Sequence, residues 1–324
     1  MSDPAAVPVK VLFILGKGRS GSTLLDNVLG QVPGVFSTGE LHRLWDWGLR
    51  QGVPCGCGKD ALTCPVWSPV LAKSVGIQSR DGDAERIEAI WHDQQAVERW
   101  RQAPRLFTRR QSGGWLALRR YAEILGSVYG ALRDVTGARL LVDSSKTPLN
   151  PAVLGLVEGL DGSAVQLVRD PRAVGFSWQR TRAWSDRARG GTMPRFGPVH
   201  TAASWALRNV TAELVLHRWP ATRTARLRYE DFCEAPRTTI TELLALAGVQ
   251  ADRLPFSDEH TVRVGETHTI GGNPNRVTNG EVSISPDREW ENQLPARTQR
   301  VVSTLTWPLA RRYGYSASRG APSR

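Results

Sequence analysis

The sequence predicts an α/β fold of three layers, with a central parallel sheet, helices on both faces and a helical cap insert. Apolar, β-branched runs that are typical of buried strands recur at Val9–Leu15, Val35–Ser37, Arg139–Val142, Ala164–Val168 and Thr224–Arg228. Polar or glycine- and proline-containing turns and helical patterns follow these runs. Strands that alternate with helices in this way pair in parallel, with the helices on both faces. Ligands of such sheets bind beyond the C-terminal ends of the strands.

A glycine-rich loop follows the first predicted strand. Residues 9–30 read VKVLFILGKGRSGSTLLDNVLG, and Gly16 and Gly21 have the spacing of a Walker A loop. Backbone N–H groups of such a loop, together with the following helix N-terminus, bind a phosphate. Ser22 stands where the Walker lysine would be, and Arg19 adds a fixed positive charge. A P-loop-type sandwich with a donor other than ATP is therefore expected, although an ordinary βα turn stays possible.

We expect residues 1–324 to form a single domain. Within it, 9–40 would contain the phosphate loop, 41–136 a mainly helical cap insert over the sheet edge, and 137–315 the rest of the α/β core.

Four segments outside the strands have their own predictions. The insert should contain helices at Asp83–Gln102 and Gly114–Val135, and a last helix should cover Pro295–Tyr313. The segment Ser185–Pro198 is rich in arginine and glycine and is expected to be a loop. Ser257–Leu294 contains GETHTIGGNPNRVTNG, which is too rich in glycine and asparagine to predict regular structure.

The charge of the chain narrows the classes of ligand without choosing one. Lysine and arginine number 42 against 31 acidic residues, a net charge of +11. Such a balance suits an anionic ligand, nucleic acid or a membrane surface, although a genome that favours arginine codons would also produce it. No integral membrane segment is expected, because no apolar run of about 18 residues occurs. The N-terminal MSDPAAVPVK lacks a signal-peptide core, which predicts a cytoplasmic protein.

Two predicted strands end in residues that could bind an anion. Arg169 follows Ala164–Val168 directly, and Ser177 lies about two helical turns further on. An arginine and a hydroxyl so placed can share one phosphate, although Arg169 could instead pair with Asp170 at the surface.

The predicted strand Arg139–Val142 is followed directly by the sequence DSSKTP. Asp143 could act as a magnesium-binding acid of the Walker B type. Ser144, Ser145 and Lys146 could instead face an anion or an acceptor, or the segment could simply cap the next helix.

Glu40 follows Gly39 just past a short predicted strand, near the place where the first loop would hold its anion. A carboxylate there is poorly suited to binding a phosphate and well suited to accepting a proton from an attacking hydroxyl. His42 is the rival base. Glu40 could also be an acid that favours a helix N-terminus.

The ordered motifs together resemble the sulfotransferases that use 3′-phosphoadenosine 5′-phosphosulfate (PAPS). The motifs that carry the resemblance are GRSGSTLL, the downstream GE, DSSKTP, LVRDPRAVGFSW, LRYEDF and HTIGGNPNR with a later tryptophan. Their order and spacing match over roughly residues 9 to 294. They are most similar to bacterial members and to the carbohydrate and tyrosylprotein branch. The phenol and steroid enzymes are more distant, because their first loop has lysine where Arg19 stands and their base is a histidine.

The resemblance implies a role for each matched residue. Arg19 would contact the 5′-phosphate and the bridging oxygen, Arg169 and Ser177 would hold the 3′-phosphate, Glu40 would be the base, and Lys146 would lie near the transferring group. The donor would be PAPS as a co-substrate, with no metal required. The implied donor-binding residues are Gly18, Arg19, Ser20, Gly21, Ser22, Thr23, Leu24, Arg169, Ser177, Tyr229 and Arg276.

The acceptor is predicted only as a hydroxyl of a small molecule or a carbohydrate. Glu40, His42 and Trp45 are the candidates to contact it, with Arg43 and Trp47 nearby in sequence. Aromatic rings could stack on a sugar or a phenol, or could simply pack within the insert.

Two other functions stay open at this point. A P-loop kinase would use Asp143 as its magnesium acid but would lack the Walker lysine. A non-catalytic anion or nucleic-acid binder would need stacking aromatics along a basic stripe. No nucleic-acid partner is expected, because tryptophans occur mainly in apolar-periodic segments that predict core packing: Trp91, Trp100, Trp178 and Trp205.

Three cysteines lie close together at Cys55, Cys57 and Cys64, whereas Cys233 is alone. They could be free thiols, could include one disulfide, or could hold zinc with His42 or a more distant group as the fourth ligand. The spacing is not a standard zinc pattern, so the three states stay open.

Overall fold

A five-stranded parallel sheet forms the centre of the described protein, in the strand order β2-β3-β1-β4-β5. The computed structural model describes residues 8–99, 102, 115–147, 153, 155–157, 159–181, 183, 191–218, 223–277 and 279–316. The strands of the sheet are β1 (Val9–Gly16), β2 (Val35–Gly39), β3 (Leu140–Lys146), β4 (Leu160–Val168) and β5 (Arg223–Arg228). All five predicted strands are confirmed, with ends that differ by up to four residues.

Helices cover both faces of this sheet. The first six are α1 (Ser22–Gly30), α2 (Trp67–Val75), α3 (Ala84–Glu98), α4 (Leu116–Thr136), α5 (Pro171–Gln179) and α6 (Pro198–Arg218). The last four are α7 (Tyr229–Glu234), α8 (Pro236–Leu246), α9 (Glu289–Gln293) and α10 (Ala296–Arg312). The predicted α/β class is confirmed, and α3, α4 and α10 correspond to the three helices expected from the sequence.

Strand β1 is buried on both faces because its apolar residues alternate between two cores. Phe13 and Leu15 pack in a core with residues of the insert, and Leu12 and Ile14 pack in a second core with α1, α7 and α8. A near-continuous apolar run is what a strand between two helical layers requires.

The insert packs against a face of the sheet, which differs from its expected position over the sheet edge. Its helices share one core with the central strands β1, β3 and β4. Within that core, Trp45, Trp67 and Tyr121 are fully buried. Burying large aromatic side chains of this kind contributes about 1.5–3 kcal/mol each, so the insert is part of the main core.

The segment Ser257–Leu294 has regular structure on either side of the stretch GETHTIGGNPNRVTNG, the part that was predicted to lack it. It contains an antiparallel pair of β6 (Thr261–Val264) with β7 (Gly280–Ser283) and the short helix α9. Val262 and Val264 alternate into the core beneath α1. Burial of alternate valines therefore outweighs the turn-forming residues between the strands.

Two predictions fall partly outside the described residues. These are the first part of the loop Ser185–Pro198 and the environment of Trp100. Within the described ranges, no helix has the length and apolar character that crossing a bilayer needs.

Candidate functional site

A cavity of about 690 Å³ opens at the C-terminal ends of the central strands. Lys17 follows β1, Glu40 follows β2, Lys146 ends β3 and Arg169 follows β4, and all four line the cavity. The topology places these residues together because parallel strands end at one edge. The volume lies within the usual range for a small-molecule site.

The cavity brings together most of the residues predicted to form the site. Three predicted residues are not among those that line it: Ser20, Trp45 and Arg276. The predicted residues that line it are Gly18, Arg19, Gly21, Ser22, Thr23, Leu24, Glu40, His42, Lys146, Arg169, Ser177 and Tyr229.

The glycine loop is held in a conformation that most side chains avoid. Arg19 has a φ of 76° and Gly21 a φ of 89°. A Cβ on Gly21 would lie 2.3 Å from Cδ2 of Tyr229, so only glycine lets this tyrosine pack on the loop. Helix α1 begins at Ser22, and its first N–H groups lack partners within the helix. The loop therefore directs donors and the positive end of the helix dipole into the cavity.

Arg169 joins the loop to the neighbouring strand end. Its Nη1 donates to the carbonyl of Arg19 at 3.1 Å, and its guanidinium lies 4.5 Å from the centre of the Tyr229 ring. Its Nη2 donates to Oδ2 of Asp287 at 3.0 Å, and indole Nε1 of Trp205 donates to its carbonyl at 3.0 Å. The arginine is thus fixed, 6 % exposed, beside the glycine loop.

Ser177 lies on α5 and lines the same cavity, 5 % exposed. Asp170 caps this helix by accepting from the backbone N–H of Arg172 at 2.8 Å, and Pro171 occupies the first turn. The cap and the proline set the start of α5. The predicted surface pair of Arg169 with Asp170 does not form, since Asp170 pairs with Arg172.

Glu40 and Lys146 form an ion pair between the ends of β2 and β3. The Glu40 N–H donates to the carbonyl of Ile270 at 2.7 Å, which fixes the backbone beside the carboxylate. Lys146 has a φ of 62°, and only it and Arg19 have a positive φ among the described residues other than glycine. Such conformations concentrate at functional sites, where the surrounding structure enforces them.

The charges around Glu40 hold it ionised. Burial acts to raise its pKa, but the positive charges of Lys146 and Arg43 and the hydrogen bond from Lys146 outweigh burial and lower the pKa to about 2. Nε of Arg43 lies 3.7 Å from Oε2 of Glu40. In this state the carboxylate is a weak base, because an effective base has a pKa near the working pH.

His42 is held neutral. Burial, followed by the positive charge of Arg43, lowers its pKa to about 3. Its backbone N–H donates to Oγ of Ser145 at 3.1 Å, and its carbonyl accepts from Gln94 at 2.7 Å. Its Nδ1 has no hydrogen-bond partner within the described part of the chain. His42 therefore lines the cavity as a neutral imidazole.

The cavity is strongly electropositive. Six arginines and lysines line it against two acids, so the formal charge of its lining is +4 within the described residues. Burial, then repulsion from Arg208, lowers the pKa of Lys17 to about 8. Burial and the charge of Arg43 lower the pKa of Arg208 as well. Burial and mutual repulsion make the positive charges of these side chains unfavourable. A bound anion would offset that repulsion, so the cavity favours an anionic ligand.

Asp143 does not face the cavity. It is 1 % exposed, its Oδ2 accepts from the Tyr129 hydroxyl at 2.5 Å, and its Oδ1 accepts from the Ser145 N–H at 2.8 Å. Burial raises its pKa to about 6. The carboxylate thus holds the loop that carries Lys146 in place and does not offer its oxygens to a metal ion in the cavity.

Trp45 and Arg276 have structural contacts in place of the predicted ligand contacts. Trp45 is fully buried in the core of the insert, whereas Trp47, two residues on, lines the cavity with Arg43 lying 4.4 Å over its ring. Arg276 is 1 % exposed and donates to the carbonyls of Thr269 at 3.0 Å and Pro54 at 2.9 Å. It therefore ties the insert to the late segment of the chain.

Several lining residues were not predicted from the sequence. Trp178 was expected in the core, yet it lines the cavity, donates to the Gly18 carbonyl at 3.2 Å and lies under Lys17 at 4.9 Å. Lys17 could have been selected as a second cation of the glycine loop. Arg208 and Asp287 had no such signal, because a helical pattern and an irregular segment surround them.

Comparisons with known proteins found similar solved structures at low identity. The chain is similar to the sulfotransferase domain from the curacin biosynthetic pathway, with 20 % identity, coverage of 92 % of this chain and 98 % of that chain, and a TM-score of 0.47. It is also similar to a sulfotransferase from Alicyclobacillus acidocaldarius, with 14 % identity, coverage of 95 % and 97 %, and a TM-score of 0.38. No family model matches the chain. No curated protein matches it either. Neither structural similarity supports a conclusion about activity, so the function is argued from the site.

Proposed function

We propose that the protein is a sulfotransferase that moves a sulfuryl group from PAPS to a hydroxyl of a small-molecule or carbohydrate acceptor. The observation that carries the proposal is that one cavity is lined by two separate sets of cationic and hydrogen-bond-donating groups, each suited to an anion. The first is the glycine loop with Arg19, and the second is Arg169 with Ser177. A donor with a 5′-phosphosulfate and a separate 3′-phosphate needs two such groups.

The same cavity argues against a kinase. A phosphoryl transfer from ATP needs the Walker lysine and an acid that holds magnesium. Ser22 replaces the lysine, and Asp143 is buried with both carboxylate oxygens engaged.

The shape of the cavity argues against a nucleic-acid ligand. Six cationic side chains line one concave pocket, which favours a small anionic ligand, whereas an open basic stripe is typical of proteins that bind nucleic acid.

In the proposed reaction the oxygen of the acceptor hydroxyl forms a bond to sulfur, and Glu40 accepts the proton of that hydroxyl. The bond between sulfur and the bridging oxygen breaks, and adenosine 3′,5′-bisphosphate leaves with that electron pair. Arg19 and the N-terminus of α1 stabilise the negative charge that develops on the leaving phosphate. Lys146 lies beside Glu40 and would stabilise the sulfuryl oxygens.

The ion pair of Glu40 with Lys146 implies an order of events. While Lys146 pairs with Glu40, the pKa of Glu40 is about 2, and the carboxylate is a poor base. An anionic donor competes for the ammonium group. When Lys146 contacts the donor, Glu40 loses its main stabilising charge, and burial then raises its pKa toward the range of an effective base. We therefore propose that donor binding activates the base.

The acceptor would bind on the side of the cavity where Glu40, His42 and Trp47 lie. The neutral imidazole of His42 lines this side of the cavity and can hydrogen-bond a hydroxyl without competing for the anionic donor. The indole of Trp47 offers a stacking surface for a sugar or a phenol ring.

The cytoplasmic location that the sequence predicts stays a prediction.

The proposal is tested with labelled PAPS. Incubation of the protein with labelled PAPS and host metabolite extract should give products that are heavier by SO₃. PAPS should raise the melting temperature without magnesium, whereas Glu40→Gln should keep that shift and lose transfer. Magnesium-dependent ATP turnover with no response to PAPS would instead identify a kinase, and no response to either nucleotide would refute both enzymes.

A further inference from the structure

A cluster of three cysteines from the insert and one histidine from the late segment of the chain lies outside the proposed active site. Cys55, Cys57, Cys64 and His268 each direct one ligand atom into it, and these atoms all lie within 4.8 Å of one another. The cysteines are not in disulfides. The histidine comes from a segment about 200 residues later in the chain, so the sequence spacing alone does not reveal the set.

The distances fit a single tetrahedral ion. A zinc ion with bonds of about 2.3 Å to sulfur places two sulfur ligands about 3.8 Å apart, and a sulfur and an imidazole nitrogen about 3.5 Å apart. Sγ of Cys64 lies 3.7 Å from that of Cys55, 3.8 Å from that of Cys57, and 3.3 Å from Nδ1 of His268. Three thiols and an imidazole at such spacing are a donor set that zinc prefers.

The backbone around the cluster is shaped for this approach. A Cβ on Gly56 would lie 2.4 Å from Oγ1 of Thr267, so glycine is needed where the cysteine loop meets the histidine segment. The Gly58 N–H donates to the Cys55 carbonyl at 2.8 Å, which closes a tight turn around the first two cysteines. Nε2 of His268 lies 3.6 Å from a carboxylate oxygen of Glu266, a partner that orients a metal-bound imidazole.

We propose that Cys55, Cys57, Cys64 and His268 bind one structural zinc ion. All four ligand positions are supplied by the protein, which is typical of structural zinc and leaves no open position for catalysis. The proposal is independent of the sulfuryl transfer.

The proposed ion would fasten the insert to the strand end that carries Glu40. Indole Nε1 of Trp67 donates to the His268 carbonyl at 2.6 Å, and the Gly56 N–H donates to the Thr269 carbonyl at 2.9 Å. One residue further, Ile270 forms a parallel bridge with Gly39 and accepts from the Glu40 N–H. Loss of the ion should therefore loosen both the insert and the base.

The first test is metal analysis of the wild-type protein, purified under reducing conditions without added metal. We expect about one zinc per chain by mass spectrometry, and X-ray absorption at the zinc edge should show three sulfur ligands and one nitrogen ligand. Less than about a tenth of a zinc per chain after reconstitution with zinc, a different metal, or a disulfide among the three cysteines would overturn the proposal.

Variants test the ligand set. Cys57→Ser and His268→Ala should lose at least tenfold in zinc affinity, as measured by competition with a chromogenic chelator. Cys233→Ser is the matched control, because Cys233 is also buried but lies on α7 in the opposite core. If both ligand variants hold zinc as tightly as the control does, these residues are not the site. Should the variants fail to fold, the wild-type absorption spectrum decides alone.

Discussion

Replacing Lys146 with alanine tests the ion pair on which the proposed activation of Glu40 depends. The charges around Glu40 lower its pKa from 4.5 to about 2, against the opposing effect of burial. That shift corresponds to about 3 kcal/mol in favour of the ionised form. Lys146 is the largest of the favourable contributions, so its loss should raise the pKa of Glu40 by at least about 2 units.

The assay is a carbon NMR titration of protein labelled at the glutamate carboxyl carbon. The resonance that disappears in Glu40→Gln belongs to Glu40. In the wild type without nucleotide it should stay ionised down to about pH 3.5, whereas in Lys146→Ala its midpoint should lie at or above about pH 4.

Lys17→Ala is the matched control, since Lys17 lines the same cavity but is not a partner of Glu40. If Lys146→Ala shifts the titration midpoint of Glu40 no more than Lys17→Ala does, the ion pair does not set the pKa of Glu40. Addition of adenosine 3′,5′-bisphosphate to the wild type should also raise the midpoint, because the ligand competes for Lys146.

Three other perturbations have defined outcomes. Arg19→Ala should keep the fold and lose about 10²–10³ in turnover, and a near wild-type rate would remove Arg19 from the mechanism. Gly21→Ala should abolish PAPS-induced thermal stabilisation, because its Cβ would meet Tyr229, whereas Gly130→Ala, where the space is open, should not. Burial raises the pKa of Asp26 from 3.8 to about 7, so its contribution to stability is present below pH 3.8 and lost as the pH rises through about 7. Denaturant unfolding should therefore show Asp26→Asn gaining stability over the wild type between pH 4 and pH 8, by at most about 4 kcal/mol, and an equal difference at both pH values would contradict this.

The parts of the site that follow strands could be predicted from the sequence. Arg169, Glu40 and Lys146 each come at the C-terminal end of a buried apolar run, and parallel strands bring such ends together. Ser177 follows from the helical spacing after Arg169. Local sequence patterns are sufficient to predict these residues, because the parallel sheet brings the ends of its strands together.

Side-chain direction within the insert could not be predicted. Trp45 and Trp47 are two residues apart on a π-helical turn, and one packs in the core while the other lines the cavity. Residues two apart on a helical turn lie on different sides of it, and the sequence does not show which of the two sides faces the core. The same limit applies to Asp287, which reaches Arg169 from a segment more than 100 residues later.

The most direct measurement compares two nucleotides on two proteins by calorimetry without magnesium. Wild type should bind adenosine 3′,5′-bisphosphate at least tenfold more tightly than adenosine 5′-monophosphate, because in the proposed complex Arg169 and Ser177 hold the 3′-phosphate. Ser177→Ala should reduce that difference by about tenfold or more, as expected for a hydrogen bond to a charged group of about 1.5–3 kcal/mol. Equal affinity of the wild type for both nucleotides, or a difference that Ser177→Ala leaves unchanged, would contradict the assignment of two anion sites to one donor.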